Sequence, residues 1–105
     1  DTGRYDIKPN MRPVLDRLAG GLNQHPVTTV TIIGHTDSTG SDAVNNPLSI
    51  NRAAAVRDYL TARGVSAQRI AIDGRGSRQP IADNSTVSGR AMNRRVEIFV
   101  GEAAQ

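Results

Sequence analysis

Val27-Thr28-Thr29-Val30-Thr31-Ile32-Ile33-Gly34 runs without a break into His35-Thr36-Asp37-Ser38-Thr39-Gly40. The first eight residues are rich in β-branched side chains, which suit a packed, pleated surface, and they predict a buried strand. The next six are small and polar and predict a loop. A strand that empties into such a loop, with helical patterns on both sides, decides the fold class. Upstream, Met11, Val14, Leu15, Leu18 and Leu22 recur at helical spacing. Asn10 is the expected N-cap of that helix, Pro13 sits in its first turn, and Pro26 stops it. Downstream, residues 35 to 47 read as loop and Ser49 as the N-cap of a second helix reaching Gly64. Ala53, Val56 and Leu60 are expected to face the core, with Arg57, Asp58 and Arg63 on the solvated side.

Beyond the second helix, Ile70-Ala71-Ile72 alternates like a half-buried strand. Residues 77 to 89 read as a polar loop, and Val96, Ile98 and Val100 alternate with Glu97 and Phe99 in a last strand. With a strand expected ahead of the first helix, the order is (β)αβαββ. Helical crossovers between parallel strands are right-handed, so both helices should cover one face of a mixed sheet. The expectation is a two-layer α/β sandwich with one antiparallel strand. A chain of 105 residues suits a single domain over 1–105, with no repeat or linker to divide it. Asp1-Thr2-Gly3-Arg4 is loop-like and lacks the pattern of a secretory signal, so the first strand reads as truncated.

Composition removes several function classes. The chain has no cysteine, hence no disulfide, thiolate metal site or Cys nucleophile. The net charge is +3, and Lys8 is the one lysine among thirteen basic residues. That balance suits polyanions, but base stacking needs aromatic platforms and only Tyr5, Tyr59 and Phe99 exist. Nucleic acid is therefore not expected as a partner. No apolar run approaches the roughly 18–20 residues that cross a bilayer.

The loop after the first visible strand is the candidate site, because ligands of open α/β sheets gather at the carboxyl ends of strands. Asp37 fits a ligand contact and equally an Asx turn that bonds its own backbone. Arg52, near the expected start of the second helix, fits one half of a zwitterion clip. It fits equally a surface arginine paired with Asp37, worth about 0–1 kcal/mol when exposed. His35, Asp37 and Ser38 or Ser49 include acyl-transfer residue types, yet no G-x-S-x-G elbow is present. His25 and His35 flank one strand and cannot converge on a metal ion. Three arginines in Gly89–Arg95 read as a polyanion patch, as solvated residues, or as ties from Asn93 and the Arg pair to the Asp37 loop.

These stretches together resemble the OmpA-like C-terminal domain family, as in peptidoglycan-associated lipoproteins. The resemblance rests on Gly34-His35-Thr36-Asp37, on Leu48-Ser49-Ile50-Asn51-Arg52-Ala53 and on Asn93-Arg94-Arg95-Val96-Glu97-Ile98, in this order, and covers residues 4 to 100. It implies an OmpA-like fold and a non-enzymatic module that binds the peptide stem of diaminopimelate-type peptidoglycan, anchoring an outer membrane or envelope complex to the wall. Asp37 would hold the ammonium of diaminopimelate and Arg52 its carboxylate. Helix N-terminal N–H groups near Ser49 would assist the carboxylate. Thr36, Asn45, Leu48, Ser49, Arg94 and Arg95 would line or support the pocket, with Thr2 and Gly3 from the loop after the truncated first strand. Pro47 should stiffen the loop entering the second helix. No cofactor and no metal are implied. The implied setting is the periplasm of a Gram-negative bacterium, attached to the outer membrane only through segments outside this chain, with other envelope proteins as possible partners.

Overall fold

Glycines at the ends of two neighbouring strands let a helix settle unusually close to the sheet, and that contact positions everything below. The computed structural model describes residues 7–102; the expected first strand, and Thr2 and Gly3 with it, lie outside them. The elements are α1 (Arg12–Gln24), β1 (Thr28–Gly34), α2 (Asp42–Thr61), β2 (Ile70–Gly74), α3 (Val87–Asn93) and β3 (Val96–Glu102). Short 3-10 turns stand at Pro9–Met11 and Ala67–Arg69.

The sheet order is β2-β1-β3, with β1 parallel to β2 and antiparallel to β3. Register aligns Val30 with Ile70 and Val100, Ile32 with Ile72 and Ile98, and Gly34 with Gly74 and Val96. Side chains alternate across a strand, so these residues share one face. Leu15, Ala19 and Leu22 of α1 and Ala53, Val56 and Leu60 of α2 join Val30 and Ile32 in a single core. Leu15, Ile32 and Leu60 are fully buried, each contributing about 1.5–3 kcal/mol of transfer free energy. This is the two-layer α/β sandwich with a mixed sheet that the sequence predicts.

Several local expectations are corrected. The second helix starts at Asp42, with Ser41 at the N-cap position, so Ser49 is an interior residue rather than an N-cap. Pro47 lies inside that helix. A proline there removes the bond to the carbonyl four residues back, but Ala43 and Pro47 are both exposed, where water can replace it. Residues 87 to 89, expected as the end of a loop, open α3 instead, with the Thr86 hydroxyl accepting from Gly89 N at 2.9 Å. Asn10 belongs to the 3-10 turn, and Met11 occupies the N-cap position of α1. Val14 is exposed because the buried stripe is Leu15, Ala19 and Leu22, and Val14 sits about 100° round the helix from Leu15. Val100 is 55% exposed on β3, beyond which no described strand lies.

A Cβ on Gly34 would overlap the Ser49 carbonyl oxygen, and one on Gly74 would stand 2.5 Å from Ser49 Oγ and Ile50 Cγ1. Only glycine permits this approach at either position. The result seats the middle of α2, with Ser49 and Arg52, against the carboxyl ends of β1 and β2.

Candidate ligand-binding site at the end of strand β1

Backbone clamps hold residues 34 to 37 from two sides. Thr36 N donates to Gly76 O at 2.8 Å and Arg75 N donates to Gly34 O at 3.0 Å. On the other side His35 N donates to Arg95 O at 2.8 Å. Ser49 Oγ accepts from Gly76 N at 3.0 Å and donates to Asn46 O at 2.8 Å, which ties the 74–78 loop to α2. Asn45, buried, reaches Asp37 O at 3.4 Å and Gly40 O at 3.5 Å, bracing the loop from α2. Gly40 turns the chain at φ +88°, a conformation that favours glycine. Thr36, also buried, donates through Oγ1 to Asp37 O at 3.0 Å.

The Asp37 carboxylate is only 3% exposed and both its oxygens are engaged. Oδ1 accepts from Thr39 N at 2.8 Å, the Asx turn. Oδ2 accepts from Arg94 Nη1 at 2.6 Å, a charge-assisted pair with an arginine whose side chain is 14% exposed. Burial pushes the Asp37 carboxyl upward, but the hydrogen bonds from Arg94 and Thr39 outweigh it and hold it below the ordinary carboxylate value. Arg52, 7% exposed, donates from Nη1 to His35 O at 2.7 Å. Its pKa is lowered by burial first and then by the charge of Arg94, while Asp37 acts in the opposite direction. It stays protonated nonetheless. The surface-arginine reading of Arg52 therefore falls, and the ion pair of Asp37 is made by Arg94. Because Ser49 lies mid-helix, it offers no free N–H groups to a carboxylate; that expectation is corrected with the helix start.

The Gly89–Arg95 stretch divides its labour. Only Arg94 reaches Asp37. Arg95 donates to Glu97 Oε2 at 3.2 Å and to Gln79 O at 2.9 Å, supporting the loop before α3. Asn93 is fully buried and makes four bonds that staple the same loop, accepting from Ile81 N and Ala82 N and donating to Ala82 O and Asn84 Oδ1. Leu48 is half-buried on α2.

One pair escaped the sequence reading. His35, 1% exposed, sits with Nε2 at 2.8 Å from Glu97 Oε1. Burial, partly offset by Glu97, lowers the His35 pKa, so the ring is neutral near pH 7 and Nε2–H donates. Its signal was Glu97 itself, a charged residue between Val96 and Ile98, cross-strand from Ile33 in register and next but one to Arg95. A histidine so enclosed is not presented to a substrate as a base. No group of three or more His, Asp or Glu that could hold a metal ion occurs among the described residues. No helix there is long and apolar enough to cross a membrane.

Sandwich and site together define a small α/β domain with a buried charge cluster at a strand end. The OmpA family model matches residues 1–94, and the chain belongs to that family. In sequence it is 55% identical over 87 residues to the peptidoglycan-binding protein ArfA of Mycobacterium tuberculosis, covering 83% of this chain and 27% of that protein. It is 46% identical over 105 residues to outer membrane porin F of Pseudomonas fluorescens, covering 100% of this chain and 32% of the porin. In structure it superposes with a TM-score of 0.93 on the peptidoglycan-associated lipoprotein from Burkholderia pseudomallei, at 29% identity, over 96% of this chain and 86% of that one. The chain thus spans under a third of the length of these two sequence relatives.

Proposed function

We propose that this chain binds peptidoglycan without covalent chemistry, gripping the diaminopimelate end of a peptide stem between Asp37 and Arg52. Through that grip it holds an envelope protein or complex to the cell wall. The observation that carries the reading is the convergence of the buried Asp37 carboxylate with the buried Arg52 and the partly buried Arg94 at the carboxyl end of β1. Burying such charges costs several kcal/mol each before pairing, so their place under a loop of small residues suits a ligand of matching charges. The free terminus of diaminopimelate carries an ammonium and a carboxylate on one carbon. Asp37 takes the first and Arg52 the second, whose fork matches a carboxylate. Thr36, Asn45, Ser49 and Gly40 hold these groups in place.

The names of ArfA and of the lipoprotein support the ligand. The cell wall anchor of a type VI secretion system from Pseudomonas aeruginosa, matched at 33% identity and a TM-score of 0.78 over 99% of this chain and 74% of that one, supports the anchoring role. The setting that fits the porin and lipoprotein relatives is the periplasm of a Gram-negative bacterium, with membrane attachment supplied by segments outside this chain. Co-sedimentation with purified diaminopimelate-type sacculi tests the proposal. The wild type should pellet, Asp37→Ala and Arg52→Ala should stay in the supernatant while folded by circular dichroism, and no soluble fragments should be released. Folded variants that pellet like wild type would remove Asp37 and Arg52 from the site.

A further inference from the structure

Both carboxylate oxygens of Asp37 are engaged, one of them by a charged partner. Thr39 N holds Oδ1 at 2.8 Å, and Arg94 Nη1 holds Oδ2 at 2.6 Å. Among the described residues, the Asp37 carboxylate sits with the guanidinium groups of Arg94 and Arg52. Arg94 is not fully served by this arrangement, because its Nε is buried without a hydrogen-bond partner. A buried donor left unmade costs about 1–3 kcal/mol, more for a charged group, so Arg94 is poised to donate to a second acceptor.

We infer that Arg94 is a specificity-determining residue: it stands on Asp37 where a ligand's ammonium goes, and it yields that place only to a ligand bringing a carboxylate to receive it. The inference rests on the reading above, in which a diaminopimelate terminus binds at Asp37 and Arg52. On entry the ammonium replaces the Arg94 guanidinium at Oδ2. Arg94 then turns its fork, Nε included, to the ligand carboxylate beside Arg52. No bond is made or broken covalently; one charged partner is exchanged for another. A zwitterionic terminus leaves the net charge of the cluster unchanged. A lysine terminus brings an ammonium alone, evicts Arg94 with nothing to receive it, and adds one positive charge to the pocket. Arg94 thereby acts as an internal competitor against ammonium-only ligands, while Arg52 is anchored on the His35 carbonyl at 2.7 Å.

Arg94→Gln removes the competitor and its charge, and Arg94→Lys keeps the charge. The experiment is calorimetric titration of both variants, wild type and Asp37→Ala with matched diaminopimelate and lysine stem peptides at one salt concentration. Wild type should favour the diaminopimelate peptide by about 10- to 150-fold, the range for losing one charged partner. In Arg94→Gln that ratio should fall by about tenfold, largely because the lysine peptide gains affinity. Arg94→Lys should keep most of it. An unchanged ratio in Arg94→Gln, with both peptides weakened alike, would make Arg94 merely structural and overturn the inference. If wild type and Asp37→Ala bind the diaminopimelate peptide equally, the underlying reading fails instead, and the two failures are distinct.

Discussion

Replacing Asp37 by Asn isolates the charge of the buried carboxylate from its shape. The amide oxygen can still accept from Thr39 N as Oδ1 does at 2.8 Å. The amide nitrogen, however, would point a donor at Arg94 Nη1 across the former 2.6 Å contact. Arg94 then loses this carboxylate partner while its side chain is 14% exposed, too sheltered for full hydration. Breaking a buried pair by removing one partner costs about 3–5 kcal/mol, and the residual exposure of Arg94 puts this case near 3. Small domains are stable by about 5–15 kcal/mol, so the variant should remain folded with a thin margin. With an m-value of about 1.5 kcal/mol per molar urea, the midpoint should drop by about 2 M at unchanged slope. Adding Arg94→Gln should recover much of the loss, since no orphaned charge from the pair then remains. A midpoint within about 0.5 M of wild type, or losses that simply add in the double variant, would refute this account of the pair.

Acidification should destabilise the domain in two stages. His35, whose folded-state pKa lies below 6.5, leaves the unfolded chain binding more protons, so stability declines as pH falls below about 6.5. Asp37 and Glu97 have lowered carboxyl pKa values, Glu97 chiefly through its bond from His35; their stabilisation is complete above their unfolded values and is lost as pH falls below about 4. Urea midpoints across this range check both stages, and the lower one should shrink in Asp37→Asn. Gly34→Ala should cost about 3 kcal/mol or more in thermal or urea unfolding, because its Cβ meets the Ser49 backbone rather than a movable side chain. Folded Gly34→Ala protein should also bind sacculi weakly, because pushing α2 outward carries Arg52 off the His35 carbonyl.

The layer architecture was legible because its signals are strong and local. VTTVTIIG is continuous and β-branched, and Ala53, Val56 and Leu60 follow the helical period. Helix boundaries were less legible where a breaker is tolerated for reasons outside the sequence window. Pro47 argued for a loop, yet α2 runs through it because that side of the helix is exposed. Gly89 argued for a loop too, whereas it sits in α3 because a Cβ there would overlap the Asp83 carbonyl. In the site, Asp37 was readable as a charge but not as a pair. Its partner Arg94 lies 57 residues away and meets it only because β3 runs antiparallel beside β1. Of the two readings of Asp37, the Asx turn is made through Oδ1, while Oδ2 is held by Arg94.

The central claim is that the terminus of diaminopimelate enters the cluster at the end of β1. Following backbone amide signals while titrating a diaminopimelate-containing muropeptide tests it most directly. The account predicts saturable shifts concentrated at residues 36 to 40, 45 to 52 and 94, all absent in Asp37→Ala. Shifts centred elsewhere, or equal shifts in that variant, would contradict it.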